Sequence, residues 1–113
     1  MPGESEEIRD RLRKFAAARD WERFHTPRNL ALALCGEAGE LAAELQWVAD
    51  DRVAEHLRDP EAFARLAAEV ADVAMYLIRF ADVCGIDVSS AVHAKIDRNE
   101  TRFAPLRPNL DDG

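Results

Sequence analysis

Two stretches of the chain repeat apolar residues on a seven-residue rhythm, and each is opened by a capping residue followed by proline. In the first, Thr26 and Pro27 precede Leu30, Leu34, Leu41, Leu45 and Val48. In the second, Asp59 and Pro60 precede Phe63, Leu66, Val70, Val73, Leu77 and Phe80. A side-chain oxygen before proline satisfies free N–H groups at a helix start, where proline forfeits no hydrogen bond. Apolar residues at this spacing line one face of a helix. The pattern predicts two long helices, 27–49 and 60–84, packed antiparallel along their seams. Gly85 suits the left-handed position that ends the second.

The remaining segments fit the same class. Ile8, Leu12, Phe15 and Ala16 form a stripe that predicts a helix over 5–20, with a break at 21–25. Residues 53–58 predict a short helical turn. Asp87 or Ser89 can cap a last helix carrying Val92, Ile96 and Phe103, before Pro105 and Pro108 lead into a polar tail. Hydrophobic residues make up 48 % and aromatics 7 %, with Gly and Pro at five each, which favours helices over strands. The expectation is an all-α, antiparallel four-helix bundle-like single domain over 1–113, folded over about 5–105 with a polar tail at 106–113. Its seams carry more apolar surface than one thin bundle hides, so self-association is expected.

The formal net charge of −7 repels phosphate backbones and anionic membranes, so no nucleic-acid or membrane partner is expected. The opening MPGESEEIRD lacks a basic region followed by an apolar run, and no long uncharged stretch follows. A cytoplasmic location is the expectation. Cys35 and Cys84 belong to no metal or redox spacing and are expected as small core residues in a reducing compartment.

Each long helix also carries an acid pair three residues apart, beside its apolar seam. Glu37 and Glu40 lie in GEAGELAAEL, continued by Glu44 and Trp47; Glu69 and Asp72 are continued by Tyr76 and Arg79. An acidic helix face is ordinarily solvated surface, laced with basic partners three or four residues away. Here no Lys or Arg occurs between Arg28 and Arg52, and Asp72 also lacks a basic partner at that spacing, although Glu69 is within reach of Arg65. Four acids facing one another across a bundle are unfavourable without a cation. Carboxylates alone select a hard ion, Mg²⁺ first and Mn²⁺ as substitute, whose open positions suit phosphate oxygens. Glu37, Glu40, Glu69 and Asp72 are therefore candidate metal-binding and catalytic residues for phosphoanhydride hydrolysis.

With ExxE at Glu37–Glu40 and ExxD at Glu69–Asp72, the chain resembles the MazG-like all-α nucleoside triphosphate pyrophosphohydrolases over roughly residues 15–105. The segment DWERFHTPRNL, with Trp47 and Tyr76, looks most like the dCTP pyrophosphatase branch. The resemblance implies hydrolysis of a deoxynucleoside triphosphate to monophosphate and pyrophosphate, with Mg²⁺ on the four carboxylates. It implies a base pocket shaped by Trp21, His25 and Trp47, and Tyr76 near the sugar. In KIDRNETRF it makes Lys95, Asn99 and Arg102 candidates for contacting the triphosphate, with Asp97 near the metal. It also implies a homotetramer built as a pair of dimers. Phe103 departs from the pattern, standing where a tyrosine is expected in such relatives. Two other readings compete: an interaction module whose acid stripe binds a basic partner, and a ferritin-like di-iron protein suggested by the single ExxH of Glu22 and His25.

Overall fold

The computed structural model describes residues 3–106, and these contain five α-helices and no strand. Helix α1 spans Glu4–Ala18, and a 3₁₀ turn at Glu22–Phe24 leads into α2, Pro27–Leu45. A second 3₁₀ turn, Asp50–Arg52, runs into the four-residue α3, Val53–His56. Helix α4 spans Pro60–Val83 and α5 spans Val88–Arg102.

The helix starts follow from local chemistry. The Thr26 hydroxyl accepts from Asn29 N, the Asp59 carboxylate from Glu61 N, and the Asp87 carboxylate from Ser90 N. Each thereby satisfies one otherwise free N–H group. The end of α4 is closed by two bonds, Ile86 N to Ala81 O at 2.8 Å and Gly85 N to Asp82 O at 3.1 Å. Gly85 sits between them at φ 72°, which costs glycine nothing. Helix α1 ends the same way, with Asp20 at φ 55° and Trp21 N bonded to Ala16 O at 2.9 Å. That reversal turns Trp21 back toward the body of the molecule. Helix α2 stops at Leu45, four residues short of the expected end. Continuing it would bring Asp50 and Asp51 close to its negative terminus.

Helices α2 and α4 form the principal pair, and α1 lies against α4. Glu44 meets Arg65 while Glu37 meets Glu69 and Asp72, so α2 and α4 run antiparallel. Leu30, Ala16, Ala62 and Ala81 are buried, but only half of the α4 seam is covered. Leu66, Val73 and Phe80 are half-buried, whereas Phe63, Val70 and Leu77 are 58, 51 and 42 % exposed. The helices packed against α4 cover one side of the stripe and leave the other free.

Helix α5 packs only sparsely on the rest, and no residue of it is buried. The result is an elongated chain with a radius of gyration of 18.6 Å and extents of 63 × 37 × 29 Å. A compact chain of this length has a radius near ~13 Å. The cysteines correct the sequence expectation: Cys35 on α2 and Cys84, just past the end of α4, are both exposed thiols. The polar-tail assignment for 107–113 lies outside the described residues. Among the described residues, no helix is long and apolar enough to cross a membrane.

Candidate active site

The antiparallel pairing of α2 and α4 brings carboxylates from both helices together. Glu37, Glu69 and Asp72 each offer an oxygen within 4.8 Å of the others, and all three are half-buried. Glu69 Oε2 is shut off from solvent with no hydrogen-bond partner. Burial pushes the Glu69 carboxyl up from its ordinary value, and the negative charges of Asp72, Glu40, Glu37 and Glu44 push it further the same way. An orphaned, desolvated carboxylate oxygen among like charges is an arrangement that a hard divalent cation completes.

The four predicted carboxylates do not stand equally. Glu40 is exposed and outside the set of three, although its charge is felt at Glu69. Glu44 meets a basic partner that helix spacing alone did not supply, Arg65 of α4 at 3.5 Å, whereas Arg65 was expected within reach of Glu69. Inter-helix pairing thus takes Glu44 out of the uncompensated stripe.

Beside the carboxylates lies a cavity of about 170 Å³. Trp21, His25, Met75 and Tyr76 line it, and Glu37 and Asp72 border it, so carboxylates and aromatic surface share one opening. Phe15 meets Trp21 edge-on with ring centroids 5.5 Å apart, a favourable aromatic contact beside the cavity. Sequence reasoning placed Trp21, His25 and Tyr76 here and missed Phe15, Met75 and Arg79 as lining residues. Arg79 had a signal, since it continues the Glu69, Asp72, Tyr76 stripe.

Two groups of expected residues lie elsewhere in the chain, and the expected ExxH pair does not form a helical motif. Trp47 stands in the turn after α2 and is 89 % exposed, outside the cavity. Lys95, Asn99 and Arg102 share a separate shallow surface on α5 with Arg98 and Thr101. The Glu22–His25 pair falls on a 3₁₀ turn, and His25 Nδ1 accepts a hydrogen bond from Arg79, so this pair forms no helical ExxH metal motif. A further depression, bordered by Arg9, Asp82 and Ser89, lies apart from the acid cluster.

No family model matches the chain. The crystal structure of a pyrophosphatase from Archaeoglobus fulgidus superposes with a TM-score of 0.84 at 34 % identity, covering 93 % of this chain and 96 % of that one. The chain belongs to the MazG-like all-α nucleoside triphosphate pyrophosphohydrolases. Among curated relatives, dCTP pyrophosphatase 1 of Mus musculus and of Homo sapiens are each 46 % identical over 98 residues. Those residues are 87 % of this chain, which spans 58 % of either relative's length. These matches place the MazG-like chain beside the dCTP pyrophosphatases in sequence.

Proposed function

We propose that this protein hydrolyses a deoxynucleoside triphosphate, dCTP or a modified dCTP, to the monophosphate and pyrophosphate in a Mg²⁺-dependent reaction. The observation that carries the reading is the orphaned Glu69 oxygen within the Glu37, Glu69 and Asp72 cluster, opening onto an aromatic cavity. The names of the dCTP pyrophosphatase relatives favour the cytosine branch.

Glu37, Glu69 and Asp72 would hold the cation, and Glu40, whose charge is felt at Glu69, is the fourth candidate ligand. When bound, Mg²⁺, or Mn²⁺ in its place, supplies positive charge that offsets the triphosphate oxygens and favours attack on phosphorus. One carboxylate orients the attacking water and accepts its proton. Trp21 offers a flat face or edge to the base, and His25 offers a ring nitrogen. Tyr76, one turn beyond Asp72, packs against the sugar and disfavours a 2′-hydroxyl.

Lys95, Asn99 and Arg102 contact the triphosphate, and Trp47 completes the base pocket. Within one subunit these residues stand apart from the cavity, so a second copy delivers them. The uncovered Phe63, Val70 and Leu77 of α4, with Val92 and Ile96 of α5 at 49 and 47 % exposure, supply the apolar contact surface. The assembly is a homotetramer formed as a pair of dimers, acting on the cytoplasmic nucleotide pool as a sanitation enzyme.

The test is pyrophosphate release from a panel of dNTPs and NTPs, including 5-methyl-dCTP, with Mg²⁺ or EDTA. Release led by dCTP or its methylated form and abolished by EDTA is the expected result. Release led by another nucleotide retains the chemistry and moves the base preference. No release from any nucleotide overturns the reading in favour of an acidic interaction module.

A further inference from the structure

His25 ends the 3₁₀ turn between α1 and α2 and lines the cavity beside Trp21, with ring centroids 6.4 Å apart. Its Nδ1 accepts a hydrogen bond from Arg79 Nε at 3.0 Å, a contact across 54 residues of sequence. Arg79 is only 9 % exposed and is itself held in place. Its Nη1 donates to Asp82 Oδ2 at 3.3 Å, and the same oxygen accepts from Arg13 Nε at 2.7 Å. A second Arg13 nitrogen, Nη2, donates to Asp82 Oδ1, so α1 and α4 are tied together behind the histidine.

A guanidinium carries only donors and does not release a proton at ordinary pH. The histidine nitrogen facing it must therefore present a lone pair. In a neutral imidazole with Nδ1 engaged as acceptor, the hydrogen resides on Nε2. Among the described residues no protein group is hydrogen-bonded to Nε2, and that nitrogen is not a buried orphan. The surroundings also favour the neutral ring: burial lowers the His25 pKa, and the charge of Arg79 lowers it further, against a smaller opposing effect of Glu22.

We propose that Arg79, braced by Asp82 and Arg13, is a positioning residue that locks His25 as the neutral Nε2–H tautomer, so that the histidine meets a ligand in the cavity as a hydrogen-bond donor. The ligand group it fits is an acceptor on a base edge, a ring nitrogen or carbonyl oxygen; an amino group at that point is disfavoured because it would confront another donor. The nature of the ligand rests on the proposed function. The tautomer is a property of the free protein.

The decisive experiment is imidazole ¹⁵N NMR on the full chain without metal or nucleotide, with His25→Gln used to separate the His25 signals from those of His56 and His93. The expected spectrum shows His25 with a protonated Nε2 and an unprotonated Nδ1; a protonated Nδ1 overturns the proposal. In Arg79→Met, which keeps side-chain length and leaves Asp82 paired with Arg13, His25 is expected to become a mixture of tautomers. For the nucleotide that the wild type turns over, KM is expected to rise about tenfold, with the loss falling on KM rather than kcat. An unchanged tautomer with unchanged KM overturns the role of Arg79. If Arg79→Met does not fold, the wild-type spectrum still decides the tautomer. If no nucleotide is hydrolysed at all, the proposed reaction falls while the spectrum still reads His25.

Discussion

Helix α4 carries two charged clusters on one face, and they are built on opposite principles. Toward its middle, Glu69 and Asp72 face Glu37 of α2, like charge against like charge, with one oxygen desolvated and unbonded. Some ten residues further on, about 15 Å along the axis, Arg79 and Asp82 join Arg13 and His25 in a chain of matched donors and acceptors. Burial and neighbouring acids push the Glu69 carboxyl up. Hydrogen bonding from Arg13 pulls the Asp82 carboxyl down, against the opposing effect of burial. The same helix pairs a buried carboxylate fully where architecture requires it. Its acid cluster carries like charges with no ion-pair partner among the described residues, which is why the proposed function places the cation there.

The largest expected effect removes the unmatched cluster. Glu69→Gln should lower Mg²⁺-dependent pyrophosphate release by ~100-fold or more while the metal-free thermal midpoint holds or rises, because a repelled charge disappears. A midpoint several degrees lower in that variant would show that Glu69 stabilises the fold and would dissolve the contrast. The matched cluster should behave in reverse. Asp82→Ala is expected to destabilise by roughly 2 kcal/mol in chemical denaturation, less than a fully buried pair because Arg13 keeps about half its surface in solvent.

Trp47→Ala sharpens the distinction between what one chain contains and what the proposed assembly would add. The indole is almost wholly exposed within one subunit, so the variant should fold normally while its nucleotide KM rises about tenfold. Loss of folding would make Trp47 a structural residue.

The smallest effect is in pH. Asp82 has a lowered folded-state pKa, so its pairing stabilises fully above the ordinary carboxylate range and is lost as pH falls through the lowered value. Glu69 has a raised one, so its contribution is fullest below the ordinary range and is lost as pH rises through the raised value. Thermal midpoints measured in EDTA from pH 3 to 8 should lose the acid-side fall in part in Asp82→Asn and the neutral-side fall in Glu69→Gln. Mg²⁺ should suppress only the latter.

What could be read from the sequence was local. Thr26, Asp59 and Asp87 cap within three residues, and Gly85 ends α4 by its own backbone geometry, so the helices were legible. The acid pairs were legible because three residues on a helix is nearly one turn. What escaped depends on contacts distant in sequence. His25 and Arg79 are 54 residues apart, and Arg65 reaches Glu44 from another helix. Heptad spacing showed that Phe63, Val70 and Leu77 lie on an apolar stripe, but periodicity does not say what covers it.

The sparse docking of α5 has a consequence for how this protein responds to dilution. A fifteen-residue helix carrying polar side chains is marginal in water by itself, since each helix must first overcome its nucleation penalty. In the proposed assembly its order would be linked by mass action to the encounter with another copy. Amide protons between Val88 and Arg102 should exchange faster as protein concentration falls, while those of α2 and α4 keep their protection, making this one helix a built-in gauge of assembly.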